Sequence, residues 1–181
     1  MEPARDTRIA SDLDAVTTIA ASGDPSLGPL VCRAITRRRF AVLGTASAIG
    51  RSHSAGILYQ VAEGAIWVST LESSRKARNL AVNPRVALTV PVRRLPIGPP
   101  SSAQIQTIAA VVALDDPELH RLAGSGALKR VTSHGEMDLP GGCFLRLELP
   151  RRVPVYGLGM SLYRLAREPL AAGRVALVDW G

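Results

Sequence analysis

Between residues 40 and 156, short apolar runs and alternating apolar–polar stretches dominate the chain. They predict a mainly β protein. Residues 40–45 (Phe-Ala-Val-Leu-Gly-Thr) form a run of the length expected for a buried strand. Residues 53–61 and 65–70 read as two strands around Glu63-Gly64, a hairpin signal. Residues 86–92 are rich in β-branched side chains, and 105–114 is the longest strand candidate. Cys143, Leu145, Leu147 and Leu149 alternate with Phe144, Arg146 and Glu148, the pattern of a half-buried strand that 153–156 extends beyond Pro150.

Helical spacing is confined to a few segments. Leu13, Val16, Thr17 and Ala20 predict a short helix over 11–21, and Leu27, Leu30, Val31 and Ala34 predict another over 27–36. Arg37–Arg39 then lies at a helix C-terminus, where cations are favoured. A third helix is predicted over 74–82, with Ala77, Leu80 and Ala81 on its apolar face. Asp115-Asp116-Pro117 opens a helical turn through Leu122. The Gly-rich stretch 123–142 is too long for a bare loop and hides a short helix at 126–131. Residues 95–102 are a Pro/Gly/Ser loop, and 157–181 carries no clear pattern. This order favours an antiparallel β-barrel with flanking helices over a doubly wound sheet. The expected organisation is an arm with a short helix at 1–25, a barrel domain at 26–157, and an extension at 158–181 packed on the same domain.

Composition changes this picture little. The 181 residues suffice for one well-buried core. No apolar run is long enough to span a bilayer, and the first residues lack the basic-then-apolar order of a signal peptide, so a cytoplasmic location is expected. Cys32 and Cys143 stand alone and read as buried, inert thiols. No His pair has metal-ligand spacing, and no metal site is expected. The net charge of +7 attracts anions, but aromatic residues are few and no nucleic-acid recognition motif appears. Neither a nucleic-acid partner nor a membrane is expected.

The chemistry concentrates at residues 73–84. Ser73 or Ser74 suits the N-cap, and Pro84 biases the chain against further helix. Arg75 and Lys76 then occupy the first turn, at the positive end of the helix dipole, where cations are disfavoured. Two basic residues there make sense if they share an anion with the free backbone N–H groups, and phosphate is the usual occupant of such a site.

Residues 40–92 resemble the flavin-binding split-barrel superfamily, which includes pyridoxamine 5'-phosphate oxidase and the deazaflavin-dependent reductases. The most specific part is Val68-Ser69-Thr70, then Ser74-Arg75-Lys76-Ala77-Arg78-Asn79-Leu80, then Asn83-Pro84-Arg85-Val86. Weaker similarity runs on through 104–116 and Val155-Tyr156-Gly157. The resemblance implies a six-stranded antiparallel split β-barrel with a few short helices, paired as a homodimer with its cofactor at the interface. It implies phosphate contacts from Arg75 and above all Lys76, with Ser74 opening the helix and residues 67–70 beside the cofactor. Trp67 then either stacks near the cofactor or fills the core, and Ser69 and Thr70 either reach the ligand or end a strand. His53 is either a site residue or a structural one. Gln104 and Gln106 either reach the cofactor from a second subunit or face solvent. Tyr156 sits on the closing strand.

Pyridoxamine-phosphate oxidases of this superfamily carry an Arg and a Lys where this chain has Ser54 and Tyr59. Both are flavin-mononucleotide contacts there, and the C-terminal Arg–His substrate motif also has no match here. The resemblance therefore favours the branch that binds coenzyme F420, with FMN as the alternative. It implies an oxidoreductase passing hydride between cofactor and a small organic substrate, or a protein of the same fold that binds flavin without catalysis.

Overall fold

The computed structural model describes residues 23–92 and 100–180. The helix expected over 11–21, and most of the loop expected over 95–102, lie outside the described residues.

The chain enters through Asp24, whose carboxylate accepts from the Ser26 N–H (2.9 Å) and caps a 3-10 turn. That turn leads into α1 (Gly28–Arg37), which buries Val31 and Ile35 one turn apart. The first six strands follow: β1 (Phe40–Ala46), β2 (Ser52–Leu58), β3 (Gln60–Ala62), β4 (Ala65–Leu71), β5 (Arg85–Val92) and β6 (Ser101–Ala113). Helix α2 (Arg75–Val82) lies between β4 and β5. Then come α3 (Pro117–Gly124), α4 (Lys129–Thr132), β7 (Gly142–Glu148), β8 (Arg152–Tyr156), α5 (Leu162–Arg167) and β9 (Gly173–Leu177).

All strand pairings are antiparallel, in the order β2-β1-β5-β6-β7-β4-β3, with β8 joining β6 and β9 joining β8. β6 pairs with β5 through residue 108 and with β7 from Ala109 onward, so one long strand belongs to both halves of the sheet. β2 pairs with β1, whereas β3, one residue later, pairs with β4. The chain thus carries the sheet round a corner at Tyr59. Its N–H donates to the Arg39 carbonyl (2.8 Å), and its buried hydroxyl donates to the Ile35 carbonyl (2.7 Å). Nine strands therefore replace the six expected. Counting β2–β3 as one bent strand, six run round the curl, and β8 and β9 add to it outside.

The β3–β4 turn is the expected one: Glu63 and Gly64 both have positive φ (45° and 70°), as a two-residue hairpin turn matched to strand twist requires. β1 and β5 alternate, burying Ala41, Leu43, Val86, Leu88 and Val90 in the main core. β4 and β7 begin with four consecutive buried residues each, because both of their faces are covered. Ile66 and Val68 face the main core, while Trp67 and Phe144 join Leu119, Leu122 and Leu128 in a second cluster under α3 and α4. Asp116 caps α3 by accepting from the Leu119 N–H (3.0 Å). α2 buries Ala77 and Leu80 as expected, but Ala81 is exposed and Asn79 is buried instead. Cys143 is buried; Cys32 is only half-buried. Residues beyond 157, unpatterned in sequence, fold as α5 and β9 and pack back on β8. No helix among the described residues is long and apolar enough to cross a membrane.

Candidate functional site

Ser74 caps α2 as expected, its Oγ accepting from the Ala77 N–H (3.3 Å), and it also meets Thr70 Oγ1 at 3.2 Å. The N–H groups of Arg75 and Lys76 stay free of helical partners, as the first turn of any helix dictates. Asn79 fixes the helix against the barrel: its side-chain amide donates to Thr45 Oγ1 (2.9 Å) in a buried pair. That bond orients the helix so that Arg75 and Arg78, at helical spacing with Asn79, face one cleft.

The opposite wall of the cleft is the turn between β1 and β2. Arg51 donates its backbone N–H to Ser47 Oγ (3.1 Å), and Ser47 donates to the Arg51 carbonyl (3.0 Å). Gly50 closes the turn at φ 76°, where an L side chain would be strained. The resulting cleft, about 380 Å³, holds Arg51, Arg75 and Arg78 and, among the described residues, no carboxylate. Among the described residues none of these guanidiniums has an ion-pair partner.

A second cavity of about 520 Å³ adjoins it, and Ser52 and His53 line both. Gly44, Ala46 and Ala87 leave its floor shallow, and Ser54, Arg85 and Gln106 stand around it. Together the cavities make a trough of small side chains on the outer face of β1, β2 and β5, ending in a cationic cleft.

The expected site residues divide accordingly. His53, Ser54, Arg75 and Gln106 line the trough or cleft, and Ser74 and Thr70 shape the start of α2. Trp67 is elsewhere: it is 0% exposed, its indole N–H donates to the Ala62 carbonyl (3.4 Å), and the Arg146 guanidinium lies 5.9 Å from its ring. It is a core residue, because α3 and α4 cover the outer face of β4. Ser69, two residues along on the same face of β4, pairs with Phe144 and does not reach the trough. Tyr156 pairs with Ser102 and packs against the Met160–Leu165 cluster, away from the trough. Gln104 is exposed on the same strand face as Gln106.

Lys76 is half-buried and lines neither cavity. Its charge is felt at Cys143, on the β4–β7 side of α2. Burial and the nearby Glu72 charge raise the Cys143 thiol pKa, and Lys76 partly offsets this. Arg51 and Arg85 are the site residues that sequence pattern missed, and Arg78 reads in sequence evenly as a surface ion-pair partner or a ligand contact. Arg78 was legible, since it falls three residues after Arg75 and one before the buried Asn79. Arg51 was not, because only the fold brings its turn opposite α2.

The family model for pyridoxamine 5'-phosphate oxidase matches residues 27–149. No curated protein matches the sequence. The chain is similar in fold to the heme storage protein HutZ from Vibrio cholerae (22% identity, 74% of this chain and 96% of that one, TM-score 0.60). It is similar to a heme-binding protein from Mycobacterium smegmatis (17% identity, 72% and 53%, TM-score 0.59). It is also similar to an FAD-binding protein from Mesorhizobium loti (19% identity, 71% and 92%, TM-score 0.58). At these identities the likeness concerns the fold alone. The family match spans more than half of the chain, including all of the cleft and trough, and the chain therefore belongs to the pyridoxamine 5'-phosphate oxidase family.

Proposed function

We propose that the protein binds a phosphate-bearing deazaflavin, coenzyme F420, and acts as a cytoplasmic homodimeric oxidoreductase on a small organic substrate. One observation carries the reading: three guanidiniums without carboxylate partners converge at the start of α2 and open onto a trough of small side chains. The donor set fits a phosphate, since guanidiniums bind phosphate through paired charge-assisted hydrogen bonds. The small floor residues fit a flat ring lying close to the backbone. When bound, such a cofactor supplies hydride transfer, and the chain's own groups hold, orient and shield it. Arg51, Arg75 and Arg78 hold the anionic tail, and His53, at the junction, offers a ring nitrogen toward its middle.

F420 is favoured over FMN because positions 54 and 59, which hold a cation in the FMN enzymes of the superfamily, hold none here. Ser54 is neutral, and Tyr59 is buried with its hydroxyl committed to the Ile35 carbonyl. Three of the four arginines of the site, Arg51, Arg75 and Arg78, line the cleft end, with Arg85 at the trough, which suits a tail with several negative charges.

The homodimer is supported by the outer face of the same sheet. Phe40 is 49% exposed and Leu58 65%, and they pair across β1–β2 with Val42 beside them. An apolar patch of this kind next to a ligand trough is a natural association surface, and a second copy there would exclude water from the ring.

A second reading is heme. Two fold relatives are described as heme proteins, and His53 is a side chain of the trough able to ligate iron, with the arginines placed for propionates. Titrating the purified protein with F420, FMN and hemin, followed by absorbance, separates the three. The expected result is tightest binding of F420, weakened at least tenfold (about 1.4 kcal/mol) by Arg75→Ala. A hemin Soret shift lost in His53→Ala, with no F420 binding, overturns the reading in favour of heme.

A further inference from the structure

We propose that the groove between α1 and the β8–β9 hairpin is a second ligand site, for an elongated amphipathic anion of the medium-chain fatty carboxylate class. The groove encloses about 1000 Å³, more than the cofactor trough, and shares no lining residue with it. Its far wall, Arg151, Arg152 and Leu177 to Asp179, lies beyond the family match at residue 149. The feature is therefore built by the part of this chain that the family pattern does not cover.

Its chemistry is two-sided. Pro29 and Cys32 of α1 face Leu177 and Val178, an apolar lining. Arg33 stands on the helix side, and Arg151 and Arg152 on the strand side. Among the described residues none of the three has an ion-pair partner. Among the described residues the lining contains one carboxylate, Asp179, so three positive charges face one negative there. A neutral apolar ligand would leave the excess charge uncompensated, and a small inorganic anion would leave the apolar lining wet. A carboxylate carried on an alkyl chain satisfies both.

The length also fits. The groove follows α1 from Gly28 to Thr36, eight helical steps and about 12 Å of helix. With C–C bonds of about 1.52 Å at roughly 111°, an extended alkyl chain rises about 1.25 Å per bond, so this length accommodates roughly ten carbons. The walls are fixed: Gly28 lies so close to the Leu177 carbonyl that a Cβ there would collide with it. The Val178 N–H donates to the Arg151 carbonyl (2.8 Å) and the Trp180 indole to the Pro150 carbonyl (2.9 Å), which ties the far wall together.

The test is calorimetric titration of the full chain with sodium decanoate below its micelle concentration, alongside 1-decanol and inorganic phosphate. Trp180 fluorescence serves as a second readout. Decanoate is expected to bind with one site, decanol and phosphate at least tenfold more weakly. Arg152→Glu and Arg33→Glu should each weaken decanoate at least tenfold while leaving melting temperature and F420 titration unchanged. Equal binding of decanol, or no effect of either charge reversal, overturns the proposal. So does binding that is lost in Arg75→Ala, which places decanoate in the cofactor cleft. Binding that appears only after deletion of residues 1–22 also overturns it, because the chain's own N-terminal segment is then the occupant.

Discussion

The two outer faces of this barrel are made from similar strands and treated oppositely. Over β4 and β7, helices α3 and α4 cover the sheet and bury Trp67 and Phe144 completely. Two ion pairs fasten that cover: Arg121 with Glu63, and Arg146 with Glu118. Over β1, β2 and β5 no helix among the described residues covers the outer face, Phe40 and Leu58 stand exposed, and Arg51, Arg75 and Arg78 have no ion-pair partner among the described residues. The covered face spends its side chains on stability. The bare face leaves its apolar surface and its charge unspent, which is the condition of a surface that meets something else.

If that division is right, substitutions on the two faces should separate cleanly. The largest effect belongs to the covered face. Trp67→Ala should cost about 3–5 kcal/mol of stability, as large buried aromatics do. Denaturant unfolding should show the loss. A Trp67→Ala variant that unfolds normally but fails to bind cofactor would move Trp67 back to the ligand and break the comparison.

On the bare face, the double change Arg75→Ala and Arg78→Ala should weaken F420 at least a hundredfold, about 2.7 kcal/mol. Its unfolding midpoint should stay within about 0.5 kcal/mol of the parent, as expected for exposed positions without partners. Lys76→Ala is the internal comparison. It lies on the other side of α2, so its effect on binding should stay under about threefold, below 0.7 kcal/mol. A larger loss for Lys76 than for Arg75 would show that the ligand approaches α2 from the Cys143 side.

Between the faces stands Tyr59. The resemblance marks position 59 as a cofactor contact in FMN enzymes, but here the ring is buried at the corner between β2 and β3. Burial holds its hydroxyl pKa well above the usual tyrosine value, with partial relief from Arg38 and Arg130. Tyr59→Phe leaves the Ile35 carbonyl without its donor and should cost about 1–2 kcal/mol of stability. F420 affinity should not change, and equal titrations of parent and variant would check that.

How much of this was legible follows from the range of the interactions involved. The β3–β4 hairpin was readable because Glu63-Gly64 is a local turn signal, and the start of α2 because Ser74, Pro84 and the apolar spacing are all within one helix. α3 was readable from Asp116-Pro117. The position of Trp67 was not, since its burial depends on α3, some fifty residues later in the chain, folding over β4. The cleft was half legible for the same reason. Arg75 could be read from its helix, but Arg51 reaches it only because β1 and β2 pair in the observed register, Thr45 opposite His53. The register also explains the strand count: one bent strand looked continuous through residue 61, and only its change of partner at Tyr59 divides it.

The smallest expected effect concerns how the covered face is fastened. Arg121 donates two hydrogen bonds to the Glu63 carboxylate, at 2.7 and 2.6 Å, joining α3 to the tip of the β3–β4 hairpin. Those hydrogen bonds hold the Glu63 carboxyl below its usual pKa, outweighing a slight desolvation. A carboxylate whose folded pKa is depressed contributes stability above its unfolded pKa and loses it as pH falls through the folded one. Both groups are exposed, so the contribution is small and salt-screened. Glu63→Gln should therefore melt slightly below the parent at neutral pH. The gap should close as pH drops below the ordinary glutamate range, and it should narrow at high salt. F420 titration should be the same for both proteins at every pH where they are folded. A Glu63→Gln variant whose melting gap is independent of pH would mean that packing at the hairpin tip, rather than the charge pair, holds the helical cover in place.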